Sequence, residues 1–222
     1  MSYFLLERLF RLFVVKQAFV ADGLPNAGPL GNIPCMKQMT VLCLAAMSAA
    51  CGAYTSIAAN ICVEAESAVT NEAPMVLVKM KTPPPGVKPV GGASENAYLE
   101  VPLGVGKTPK VKAGTAKIAV EIPADGAYTV WLRTYWEGEC SNTFLVQIDD
   151  RPPFLVGADA TFHAWHWVKY PVSKMIPPPT MTKGAHTLTI IHREDGVRLD
   201  QLLLASDPRY VPVGIEKAGV SP

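Results

Sequence analysis

The stretch HTLTIIHREDGVRLDQLLLA, His186 to Ala205, carries the most decisive pattern in this 222-residue chain. Two runs rich in Leu, Ile, Val and Thr flank Glu194-Asp195-Gly196. Asp-Gly between apolar runs is a hairpin signal, because both residues tolerate the positive φ that a tight reversal demands. The stretch therefore predicts two strands joined as an antiparallel hairpin. Similar runs recur upstream between Pro, Gly, Asn and Asp, at 61–68, 75–80, 96–102, 116–122, 127–136, 143–149 and 164–172. With 186–193 and 197–205 they make nine strands, which suits an all-β fold, an antiparallel β-sandwich. The turn chemistry agrees: Asp125-Gly126 precedes the fifth run, Asp149-Asp150-Arg151-Pro152 closes the sixth and Lys183-Gly184 precedes the eighth. The 20 Pro and 17 Gly residues weigh against a helix bundle. Residues 83–85 and 177–179 are all Pro and must be loops.

Composition bounds the function. Hydrophobic residues are 49% and charged residues 18% of the chain, enough apolar surface for a core and too little charge for disorder. With 20 basic and 19 acidic residues there is no basic field to hold nucleic acid. The front of the chain differs from the rest. Val41 to Ala59 is nineteen residues without a charge, preceded by Lys37. Val41 to Cys51 has the length of a signal-peptide h-region, and Ser56 and Ala58 stand where an A-x-A-like cleavage site needs small side chains. Residues 36–58 therefore read as a signal peptide, 1–35 as an N-terminal extension outside the functional protein, 59–212 as the folded domain and 213–222 as a tail. A secreted, periplasmic or cell-surface monomer is expected, with membrane attachment only if the segment is retained as an anchor or Cys51 is lipidated. Cys62 and Cys140 would be the cysteines of the mature part, and whether they pair stays open.

Strand alternation supplies the first chemistry. In Cys62-Val63-Glu64-Ala65-Glu66 a period of two puts both carboxylates on one side, where they repel unless a cation sits between them. Asp200 interrupts the apolar run Val197 to Ala205 and needs a partner if buried. If the first and last strands are neighbours, Glu64, Glu66 and Asp200 converge into an oxygen-only site that suits Ca²⁺. The alternative is that these acids are solvated or paired with Arg198 and Lys79. Acid pairs such as Glu137 with Glu139 have no cleft to serve, and no G-x-S-x-G motif is present. Catalysis is not expected.

The order VEAES (63–67), GGASENAYLEVP (91–102), AYTVWLRTYW (127–136) and GAHTLTIIHREDGVRLDQLLL (184–204) resembles the family 6 and family 35 carbohydrate-binding modules. The resemblance runs from Ile61 to Pro212. It implies a galactose-binding-domain-like jelly-roll with a structural Ca²⁺ on Glu64, Glu66 and Asp200. It further implies sugar binding in loops at one edge of the sandwich, by aromatic rings and amide groups. A pyranose has an apolar C–H face and a polar rim, so a flat ring with a few fixed polar groups recognises it. In that register Phe162 takes the stacking position and Trp165 the core position beside it, with His163, Trp136 and Asn142 contributing to the site. Arg198 stands where the family often has a ligand-contacting Asn, and would favour a carboxylated or sulfated sugar unless it pairs with Glu194 or Asp195. The expected function is a secreted, non-catalytic module for an extracellular polysaccharide. The alternative is a protein-docking or envelope-surface module without glycan affinity.

Overall fold

In the run TAKIAVEI, Ala116, Ile118, Val120 and Ile122 are buried while Lys117, Ala119 and Glu121 face solvent. A period of two decides which side packs. The computed structural model describes residues 59–221, so the expected extension and signal peptide lie outside the described residues. Fourteen strands follow in order: β1 (Asn60–Glu64), β2 (Thr70–Glu72), β3 (Val76–Lys79), β4 (Ala97–Val101), β5 (Thr115–Ile122), β6 (Gly126–Ala127), β7 (Thr129–Trp136), β8 (Thr143–Ile148), β9 (Phe154–Gly157), β10 (Trp165–Tyr170), β11 (Thr180–Met181), β12 (Gly184–His192), β13 (Val197–Ala205) and β14 (Gly219–Ser221). The larger sheet runs β10-β7-β13-β1-β14, with β4 and then β3 added beside the first part of β13. The smaller runs β2-β5-β12-β8-β9, and β11 with β6 makes a short ribbon. The strand pairs are antiparallel, as the alternating runs require. The two sheets enclose one main core that includes Ile118, Leu132, Trp136, Phe144, Ile190, Leu199 and Leu202. Each such side chain contributes about 1.5–3 kcal/mol when fully buried.

The expected hairpin is not formed. β12 is held on both sides by β5 and β8 in one sheet, and β13 lies in the other between β7 and the β4 and β1 pair. The turn signal reports a reversal of the chain, and here the reversal is a corner between sheets. Asp195 Oδ2 accepts the backbone N–H groups of Gly104 (2.8 Å) and Gly106 (3.1 Å), and Gly196 takes φ +70°. The tail expected from residue 213 is also part of the fold. β14 pairs with β1, Asn60 opposite Ser221, and Gln201 exchanges hydrogen bonds with the backbone of Glu216 (2.7 and 3.0 Å).

β13, like the shorter β4, is buried at every position, nine in all. Its inward side chains join the core. On its outward side Leu203 and Ala205 pack with Trp131, Trp167 and Tyr210.

Candidate functional site

Two places on the outward side of the larger sheet gather the chemistry. The first arises because β13 changes partner midway. Val197–Leu199 face β4, Gln201–Ala205 face β1, and a register slip against β7 falls between Leu199 and Gln201. Asp200 sits in that gap, fully buried. Ser94 fills the gap from the turn before β4, donating its N–H to Asp200 Oδ1 (2.9 Å), and Arg133 of β7 donates to Oδ2. The Ser94 hydroxyl touches both Asp200 Oδ1 (3.0 Å) and Glu64 Oε2, with a single proton to give. Glu64 Oε1 accepts from the Gln201 amide (2.8 Å). Burial raises the Asp200 pKa, against Arg133 and Ser94, which favour the charged form.

Glu66 reaches this gap by a route other than the one expected. β1 stops at Glu64 and Ala65–Ser67 is a single 3₁₀ turn, so strand parity does not align the two acids. Ala65 is driven into the core, and the turn carries Glu66 with it. Both Glu66 carboxylate oxygens are enclosed without a hydrogen-bond partner. Burial first, then the charges of Glu64, Asp200 and Glu95, push its pKa up to about 7, and its own backbone N–H opposes this only in part. Among the described residues no group of three or more His, Cys, Asp and Glu side chains is assembled as a ready metal site. What the gap does hold is oxygen donors in excess of protons, with one carboxylate unpartnered. That donor set fits a hard cation.

The second place is a row of side chains across four strands. Trp165 of β10 is opposite Tyr135 of β7, Tyr135 is opposite Arg198 of β13, and Arg198 is opposite Glu100 of β4. Trp165 meets Tyr135 edge-on at 5.6 Å and Tyr98 at 5.5 Å, and donates its indole N–H to Gly91 O (2.9 Å). The Arg198 guanidinium lies 5.0 Å from the Tyr135 ring centre. It also pairs with Glu137 (2.8 Å) and Glu100 (3.1 Å). Burial would lower the Arg198 pKa, and the two glutamates more than reverse this. Exposed His163, held at φ +57°, closes one end 6.3 Å from Tyr135.

Several sequence expectations change here. Trp136, expected at the surface, is fully buried, because Val130, Leu132 and Trp136 point inward on β7 while Trp131, Arg133 and Tyr135 point outward. Its indole N–H is spent on Asp159 (2.9 Å). Phe162 and Trp165 are both partly buried, Phe162 against the main core and Trp165 against the smaller cluster of Val78, Ala93 and Tyr98. Arg198 is not available to an anionic sugar, since Glu100 and Glu137 already hold it; neither Glu194 nor Asp195 does. Asn142 stands apart from the row, bonded to Asp159 O (2.9 Å) and Glu194 (3.1 Å). Tyr135 and Glu137, with buried Tyr98 and Glu100 beside them, belong to this row and were not among the expected residues. The parity of AYTVWLRTYW, which separates Tyr135 from Trp136, would have found the first. Cys62 is buried, Cys140 is exposed, and both are free.

The class defined by these features is an antiparallel β-sandwich with an aromatic row on the outward side of its larger sheet. The chain resembles the family 35 and family 6 carbohydrate-binding modules. A family 35 carbohydrate-binding module from Clostridium thermocellum is 14% identical, with a TM-score of 0.45 over 65% of this chain and 96% of that one. The C-terminal family 6 module of a marine laminarinase from Zobellia galactanivorans is 10% identical, with a TM-score of 0.44 over 66% and 98%. A β-(1,4)-mannanase carrying a family 35 module, from Podospora anserina, is 14% identical, with a TM-score of 0.49 over 68% of this chain and 28% of its own. The chain thus spans under a third of the larger enzymes it matches. No protein-family model matches it, and no curated protein is similar to it in sequence.

Proposed function

We propose that this sandwich is a non-catalytic module that binds a neutral polysaccharide outside the cytoplasm, with a structural Ca²⁺ beside its binding row. The single observation that carries the glycan reading is the row Trp165–Tyr135–Arg198–Glu100. Trp165 and Tyr135 offer part of their rings to the apolar face of a sugar, and His163 and Glu137 stand beside them as hydroxyl partners. One guanidinium between two carboxylates leaves no spare positive charge, so uronate and sulfate are disfavoured and a neutral sugar is accepted. Titration calorimetry against neutral and acidic polysaccharides tests this. Neutral chains are expected to bind, and Trp165→Ala is expected to weaken them at least tenfold, about 1.4 kcal/mol. Phe162→Ala is expected to lower stability and leave affinity unchanged. No binding to any glycan at millimolar sugar would defeat the proposal.

Glu66, with Glu64 and Asp200, would hold the cation. Ca²⁺ would supply positive charge to carboxylates that now share too few protons, and would tie β13 to the turn after β1. It takes part in no reaction. Removal with EDTA is expected to lower the melting temperature by several degrees, and an unchanged melt would exclude the metal.

A further inference from the structure

The end of the larger sheet opposite the aromatic row carries an apolar surface that the glycan reading does not use. Tyr170 is opposite Val130, Thr129 is opposite Ala205, and Ala205 is opposite Asn60. This places the end of β10, the start of β7, the end of β13 and the start of β1 side by side. Five residues along β10 separate Tyr170 from Trp165, about 17 Å at strand spacing. Beyond Tyr170 the loop Pro171–Pro179 and the segment from Pro208 to Val211 enclose a cavity of about 310 Å³ over Trp131 and Tyr210. Its rim is strongly apolar: Val172 is 70% exposed and Val211 65%, and Met175 beside it is 92% exposed. Lys169 and Lys174 also line it, and neither makes an ion pair among the described residues. The chain enters the sandwich at this same end. Ala59, the first residue described, exchanges hydrogen bonds with Ser206 (2.8 and 3.1 Å).

We propose that this end docks on a lipid bilayer containing anionic headgroups, with Val172, Met175, Ile176 and Val211 entering the interface and Lys169 and Lys174 meeting the headgroups. Exposed aliphatic side chains rimmed by Lys174 and by Lys169, whose Nζ lies 5.7 Å from the Trp131 ring centre, match the depth and charge profile of such an interface. A protein partner would satisfy the aliphatic side chains equally well. The two lysines on the rim, neither of which has an acidic partner among the described residues, favour an anionic lipid surface. Docked in this way, the sandwich presents Trp165 and Tyr135 away from the membrane.

The test uses the full chain with vesicles of phosphatidylcholine alone or with one quarter phosphatidylglycerol. Hydrogen exchange is expected to slow at 172–176 and 209–213 on the anionic vesicles and to stay unchanged at 102–106 and 137–142. Lys174→Glu is expected to lower partitioning to the anionic vesicles about fivefold or more. Met175→Asp is expected to lower it on both kinds; both side chains are exposed, so the variants fold. Equal partitioning of all three proteins overturns the proposal. So does binding that leaves exchange at 172–176 unchanged, which would mean that residues 41–59 alone hold the lipid. Glycan binding by Met175→Asp at wild-type affinity is expected, which keeps this outcome separate from that of the aromatic row.

Discussion

β5 and β13 are each long, central strands, and they handle charge in opposite ways. β5 alternates strictly, with Lys117 and Glu121 in water and aliphatic residues in the core. β13 is enclosed on both sides and still carries Arg198, Asp200 and Gln201. On β5 the charges cost nothing because water solvates them. On β13 each must be met by a built partner: Glu100 and Glu137 for Arg198, Arg133 and Ser94 for Asp200, Glu64 and the Glu216 backbone for Gln201. Covering the outward side of one sheet therefore turns a plain strand into a polar seam, and both candidate sites lie along that seam.

The largest test of this contrast removes one partner. Asp200→Ala leaves Arg133 buried without its carboxylate, and about 3–5 kcal/mol of unfolding free energy is expected to be lost in urea titrations. A loss under 1 kcal/mol would mean that water reaches the gap and that β13 is no more closed than β5. The next test is pH. Between the ordinary carboxylate value of 4.5 and about 7, folded Glu66 keeps a proton that the unfolded chain has lost. Raising the pH through that window therefore disfavours the folded state, by on the order of 1–2 kcal/mol after solvent screening. Denaturant melts at pH 5 and pH 8 in EDTA are expected to show this decline, Glu66→Gln to flatten it, and Ca²⁺ to reverse it. A flat profile in EDTA would place Glu66 in water. The smallest effect belongs to β5: Lys117→Ala is expected to stay within about 0.5 kcal/mol of wild type.

The contrast also explains what could be read from the sequence. The aliphatic side of β5 and the runs that became β7, β8, β12 and β13 follow from period and composition. β2, β9, β11 and β14 are four residues or fewer and leave almost no periodic trace. The Asp195-Gly196 reversal was visible, but whether a reversal stays in one sheet depends on strands far away in sequence that already hold each edge. The site was legible as residue types and misread as exposure. Arg198 carries no local mark of Glu100, 98 positions earlier, and Glu66 looked like a strand residue until the core claimed Ala65. Trp136 was the avoidable error, since its neighbours on β7 fix its side.

The pairing of β1 with β13 and β14 has a consequence for how the molecule is made. The first strand described finds its partners only at residues 201–205 and 219–221, and β7 and β4 reach each other only through β13. A nascent chain that ends before Val197 holds neither the middle of the larger sheet nor a mate for β1. Closing such distant contacts is slow, so the larger sheet is completed only after Ala205 and Ser221 have been made.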